Sequence, residues 1–299
     1  MCMDHVAAFP ISTRRLSRIA RECDRRDKTM KDILTAPYVA EMIRTATNMY
    51  GHGWDERNGG NISLLLSEEE TAEYLDVSAV RREIPTGFDV PVLDGKYFLV
   101  TGTGKYFKNL QYCPARDLGL IRVADSGRTA QLLWGYSDGG SFTSELPTHL
   151  MSHAARLAVN PDNKVVVHCH PTNLLAMTYV HDLDTRAFTR TLWQMCNECI
   201  LAIPDGVNVL PWMLCGTNEI GAATAEQIKT ARLVVWAQHG IYGVGSDLDE
   251  AFGLIESAEK AAEIYLKIAH LPLKTTLTDD AMRQLADRFQ LTIREGFLD

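Results

Sequence analysis

At 299 residues, 46% of them hydrophobic, the chain can bury a large core, and no run approaches the roughly 20 apolar residues that a membrane helix requires. A net charge of −8 argues against non-specific nucleic-acid binding, which needs a basic face, so an anionic ligand must be met by local N–H donors or a bound cation. The seven cysteines (2, 23, 113, 169, 196, 199 and 215) are odd in number and scattered, unlike a disulfide framework, and no apolar leader follows the N-terminal basic residues; together these point to a soluble, cytoplasmic protein.

Residues 1–29 carry seven basic side chains (Arg14, Arg15, Arg18, Arg21, Arg25, Arg26, Lys28) against four acidic ones (Asp4, Glu22, Asp24, Asp27), +3, leaving −11 for the rest. With little to bury, this stretch reads as a disordered or loosely helical extension ending near Met30. Apolar residues at helical spacing from Pro37 to Tyr50 predict a helix that stops at Gly51-His52-Gly53. The loop Asp55 to Asn61, with paired glycines between asparagines, lets the backbone approach a ligand and offers amide donors, although an ordinary turn is an equal reading. Strands follow at 62–66 and 97–101. The second leads into Gly102-Thr103-Gly104-Lys105, which lacks the spacing of a Walker loop but can cradle a phosphate through its glycine-flanked hydroxyl. A strand at 131–134 precedes Thr143-Ser144-Glu145, which opens a helix with Pro147 in its first turn, a start whose free N–H groups suit an anion. Beyond it, strands near 164–170, 199–203, 207–210 and 232–238 alternate with helices near 184–196, 217–230 and 249–268, the last with Ser246 and Asp249 as a cap. One α/β domain from about 30 to 272 with a short helical tail is the economical reading.

The β-branched run Val165-Val166-Val167 ends in His168-Cys169-His170. Strand side chains alternate, so both imidazoles project one way and Cys169 the other. A third histidine, His239, ends the run Leu233 to Gln238 just before Gly240. Three histidines on two strand ends leave a fourth coordination position open, the pattern of a catalytic zinc site. A competing set is Glu145, His149 and His153, at i, i+4 and i+8 along one helix face. Helical stripes of this kind are more often solvated or capping faces, which favours the strand set without deciding it. Cys196 and Cys199 have CxxC spacing with no second pair nearby, and read as incidental.

Taken together, GWDERNGGN (53–61), VTGTGKYF (100–107), TSELPTHL (143–150), HCHPTN (168–173), PDGVNVLPWMLCGTNEIG (204–221) and WAQHGIYG (236–243) resemble the class II aldolase/adducin family, over about residue 30 to the C-terminus. The resemblance implies a single domain, 30–299, with a mixed, antiparallel-rich sheet flanked by helices. It favours the strand histidines: one Zn²⁺ per subunit on His168, His170 and His239, with Glu145 catalytic. It implies phosphate binding by Asn58, Gly60, Asn61, Thr103, Gly104, Thr143 and Ser144, and a second acid, Glu198, reaching the site from a neighbouring subunit of a homotetramer. Thr103 stands where relatives carry serine, and keeps the hydroxyl. The expected partner is a small sugar phosphate, and the wording and length favour the branch that cleaves L-rhamnulose 1-phosphate. Branches acting on L-fuculose 1-phosphate, L-ribulose 5-phosphate or methylthioribulose phosphate are the rivals among enzymes, and the non-catalytic adducin head is the rival outside them.

Overall fold

The computed structural model describes residues 30–299; the expectation for 1–29 lies outside them. Among the described residues, nine strands form one mixed sheet in the order β2-β5-β4-β3-β1-β6-β9-β8-β7. They are β1 (Asn61–Leu66), β2 (Arg82–Pro85), β3 (Tyr97–Thr101), β4 (Leu118–Ala124), β5 (Thr129–Gly135), β6 (Val165–Cys169), β7 (Val207–Leu210), β8 (Leu233–Trp236) and β9 (Gly240–Gly245). Every neighbouring pair is antiparallel except β7 with β8. The principal helices are α1 (Pro37–Gly51), α2 (Glu68–Ala72), α3 (Pro114–Asp117), α4 (Leu146–Val159), α5 (Thr172–Val180), α6 (Thr185–Met195), α7 (Asn197–Ala202), α8 (Asn218–Gln227), α9 (Leu248–Ile268) and α10 (Asp279–Phe289). None is long and apolar enough to cross a membrane.

Period-two alternation divides the sheet into two faces. Ile62, Leu64 and Leu66 of β1, with Val165, Val167 and Cys169 of β6, pack into the main core with Met42 and Ala46 of α1 and Ile255 and Ala258 of α9. Leu65 and Val166 point the other way, into clusters built with Leu146 and Leu150 of α4 and Ile220 of α8. Because helices cover both faces, the strand sequences read as unbroken apolar runs, and a polar residue within one stands out. Asn61 and Ser63 of β1 and His168 of β6 are such residues, and they fall on the α4 face.

The fold differs from the sequence expectation in several places. Residues 199–203 are not a strand; 199–202 belong to α7 and Ile203 caps it, because a short apolar run fits either element and Cys199 and Ile200 complete the core under α9. The segment after His239 is a strand, β9, concealed by three glycines in six residues. A Cβ on Gly245 would lie 2.6 Å from the Ala251 nitrogen of α9, so the glycines that weaken strand propensity permit close helix packing. Strands β2 and β4 and helix α5 were also unmarked. The cap of α9 is Asp247, whose carboxylate accepts from Glu250 N–H, one residue beyond Ser246.

Candidate active site

One row of side chains crosses three strands on the α4 face. Asn61 of β1 stands opposite His168 of β6, and His168 opposite Tyr242 of β9. The Tyr242 ring stacks on the His168 imidazole with centroids 4.4 Å apart, as directly paired residues can. Glu145, the residue before α4, is held over this row. Its Oε2 accepts from Asn61 Nδ2 at 2.9 Å and from the Tyr242 hydroxyl at 2.6 Å, and lies 3.5 Å from His168 Nε2. Oε1 faces His239 Nε2 at 3.9 Å. Glu145 is buried, with its side chain 9% exposed.

His168, His170 and His239 converge, each offering a ring nitrogen within 4.8 Å of the others. Strand parity aims the first two together. His239 arrives from the tight reversal between β8 and β9, where Gln238 has φ 58°. The backbone and a carboxylate set the ring orientations: His168 Nδ1 donates to the Ile241 carbonyl at 3.0 Å, and His170 Nδ1 lies 3.0 Å from Glu56. Such partners fix the tautomer so that Nε2 is the bare, ligating nitrogen. Burial, then the neighbouring His170 and His239, pushes His168 well below the usual histidine range, and burial also lowers His239, so both are neutral as a metal requires. Gly240 makes room for them, since a Cβ there would lie 2.4 Å from the Cys169 carbonyl oxygen and 2.8 Å from His170 Cδ2.

Around the histidines opens a cavity of about 170 Å³ lined by Asn58, Gly59, Gly60, Asn61, Gly102, Thr103, Gly104, Thr143, Ser144, Glu145, His168, His170 and His239. Every residue expected to hold a phosphate therefore lines the same space as Glu145 and the three histidines. Asn58, Thr103, Gly104 and Ser144 are exposed at the rim, while Glu145 and His168 form the buried floor. Asn61 belongs to the floor, with its side-chain amide turned to Glu145. Glu198 is exposed in the first turn of α7 and does not line the cavity.

Two features escaped the sequence reading. Tyr242 lies within WAQHGIYG, but its place beside His168 follows from the pairing of a strand that went unrecognised. Cys215 brings its exposed sulfur within 4.8 Å of a Glu145 oxygen and a His239 nitrogen, a proximity no local pattern announces. The helical trio also proves to be neither a solvated face nor a second metal site, because His149 and His153 are wholly buried and bonded to Ser63.

A family model described as the class II aldolase and adducin N-terminal domain matches residues 40–266. The chain belongs to this family. It is an enzyme of the class II aldolase kind: a rhamnulose-1-phosphate aldolase of Listeria monocytogenes is 56% identical over 270 residues, covering 90% of this chain and 99% of the relative. A rhamnulose-1-phosphate aldolase of Enterococcus faecalis is 54% identical over 269 residues, covering 90% and 96%. Among solved structures, a sugar-phosphate aldolase from Thermotoga maritima matches with TM-score 0.69 and 31% identity over 80% of this chain and 97% of that one. Class II aldolases depend on a metal ion, and the residues present fit one. Among the described residues His168 Nε2 is buried with no hydrogen-bond partner, a cost that a cation bound by the three imidazoles would relieve.

Proposed function

We propose that the protein catalyses reversible, zinc-dependent cleavage of L-rhamnulose 1-phosphate to dihydroxyacetone phosphate and L-lactaldehyde, in the cytoplasm and as a homotetramer. The observation that carries this reading is the near-full-length identity of 56% to a protein of that name, joined to a cavity in which a buried carboxylate meets three histidines beneath a rim of donors. The catalytic unit is residues 30–299.

His168, His170 and His239 hold one Zn²⁺ per subunit, which supplies Lewis acidity for the negative charge left when a C–C bond breaks beside a carbonyl. Glu145 moves the proton. Its Oε2 already accepts two hydrogen bonds, which leaves Oε1 as the oxygen that receives and returns it. The rim residues Asn58, Thr103 and Ser144, with Thr143 and the backbone N–H groups of Gly60 and Gly104, bind the phosphate, so an acidic protein holds an anion without an arginine cluster. That remote binding orients the reacting carbons. Glu198 completes the site from a neighbouring subunit.

The test is cleavage of L-rhamnulose 1-phosphate, read by coupled detection of dihydroxyacetone phosphate, before chelation, after it and after Zn²⁺ is restored. Activity that disappears and returns is the expected result. No cleavage by zinc-loaded protein would transfer the proposal to another sugar phosphate.

A further inference from the structure

We propose that His149, Ser63 and His153 are positioning residues for Glu145, acting through Asn61 in a one-way hydrogen-bond chain that leaves Oε1 free. The inference rests on the reading of Glu145 as the group that moves the proton.

The chain exists because two periodicities match. Four residues of an α-helix rise about 6.0 Å and two residues of a strand about 6.7 Å. Glu145 at the mouth of α4, followed by His149 and His153 on the helix, therefore steps in register with Asn61 and Ser63 on the same face of β1. The contacts form a zigzag: Asn61 Nδ2 to Glu145 Oε2 at 2.9 Å, His149 Nε2 to Asn61 Oδ1, Ser63 Oγ to His149 Nδ1 at 2.7 Å, and His153 Nε2 to Ser63 Oγ at 2.8 Å. All five residues are buried, none more than 7% exposed.

Donor and acceptor chemistry fixes the direction of every link. An ionised carboxylate only accepts, so Asn61 turns its amide nitrogen to Glu145 and its oxygen to His149. His149 must then carry its proton on Nε2 and present a bare Nδ1, to which the Ser63 hydroxyl donates. Ser63 in turn accepts from His153 Nε2–H, and His153 Nδ1 ends the chain, buried and without a partner among the described residues. Reversing any one link would set two acceptors or two donors against each other farther along. Burial holds both histidines neutral, with pKa values lowered to about 3, so the polarity persists throughout the physiological range. A proton arriving at Oε1 does not disturb it. The apolar surroundings and the unmet Nδ1 make this arrangement costly as mere packing, and its output is one fixed orientation of Glu145.

The direct test is ¹⁵N NMR of histidine-labelled, metal-loaded protein without substrate. The expected result is His149 and His153 as neutral Nε2–H tautomers between pH 6 and 8. An Nδ1–H or cationic His149 overturns the proposal. Ser63→Ala should release the His149 tautomer and lower kcat about 10- to 100-fold, the usual cost of losing an outer-shell hydrogen-bond partner, with KM and metal content little changed. His149→Gln, which keeps a donor for Asn61 Oδ1, should recover most of what His149→Leu loses. Full kcat in folded His149→Leu, or in Ser63→Ala should that variant fail to fold, overturns the positioning role. Failure of the substrate reading is distinguishable, since it appears as inactivity of the wild type while the tautomers still decide the chain.

Discussion

Tyr242→Phe removes one oxygen and leaves the ring that stacks 4.4 Å from the His168 imidazole. The lost hydroxyl donates to Glu145 Oε2 at 2.6 Å inside a water-poor floor. A hydrogen bond to a charged acceptor contributes about 1.5–3 kcal/mol, and each 1.4 kcal/mol or so is a factor of ten in rate; losing all of it from the transition state would slow turnover about 10- to 150-fold. Asn61 still donates to the same oxygen at 2.9 Å, which places the expectation in the lower part of that range, about 10- to 30-fold in kcat. The control is Tyr136→Phe, whose hydroxyl donates at 3.1 Å to the neutral carbonyl of Val100. It should lose about 0.5–1.5 kcal/mol of stability and no activity. The assay pairs kcat from coupled detection of dihydroxyacetone phosphate with metal content and urea unfolding for both variants. Metal-loaded Tyr242→Phe with kcat within twofold of the wild type would refute the reasoning, and loss of metal from that variant would show that Tyr242 acts through His168 rather than Glu145.

Gly240→Ala places a Cβ 2.4 Å from the Cys169 carbonyl and 3.1 Å from His168 Cε1; it should weaken Zn²⁺ binding at least about tenfold, and a metal titration matching the wild type would contradict the packing argument. His149 and His153 stay neutral to about pH 3 in the folded protein, whereas in the unfolded chain they titrate near 6.5. Between those values the unfolded state binds the extra protons, so stability falls as pH drops, by up to about 1.4 kcal/mol per unit for each histidine. His153→Leu should therefore lose about 2 kcal/mol less than the wild type between pH 7 and 5 in urea unfolding, and equal losses would rule the account out. On the proposed tetrameric reading, mixed oligomers of Glu145→Gln and Glu198→Gln subunits should regain activity that neither variant has alone, with no recovery in verified mixtures counting against Glu198 at a shared site.

What could be read before folding was whatever depends on local periodicity. His168 and His170 announced a common direction because strand alternation is fixed by the backbone, and the same rule buried Cys169 in the opposite core. The helix starting near Pro147 was legible from its proline, yet its phase suggested that Glu145, His149 and His153 act as one group. Glu145 in fact precedes the helix, with φ −94° and ψ 14°, and there reaches the strand histidines while the other two sit beneath it. Tyr242 and Ser63 were invisible for another reason: their importance lies in register, Tyr242 opposite His168 across β6 and β9 and Ser63 beneath α4 on β1, and register belongs to pairs of distant segments.

The two histidine sets that compete in the sequence are thus parts of one arrangement with different tasks. Burial lowers His168 and His239 of one set and His149 and His153 of the other below the usual histidine range, but the strand set turns its nitrogens toward open space, as a cation needs, whereas the helical set uses its nitrogens within the protein, as an orienting chain needs. Glu145 is the residue common to both, with Oε1 turned to His239 and Oε2 to Asn61. An aspartate at 145 would be one methylene shorter and could not keep both contacts without moving the start of α4, so the side-chain length is set by the distance between the histidines and the row on β1.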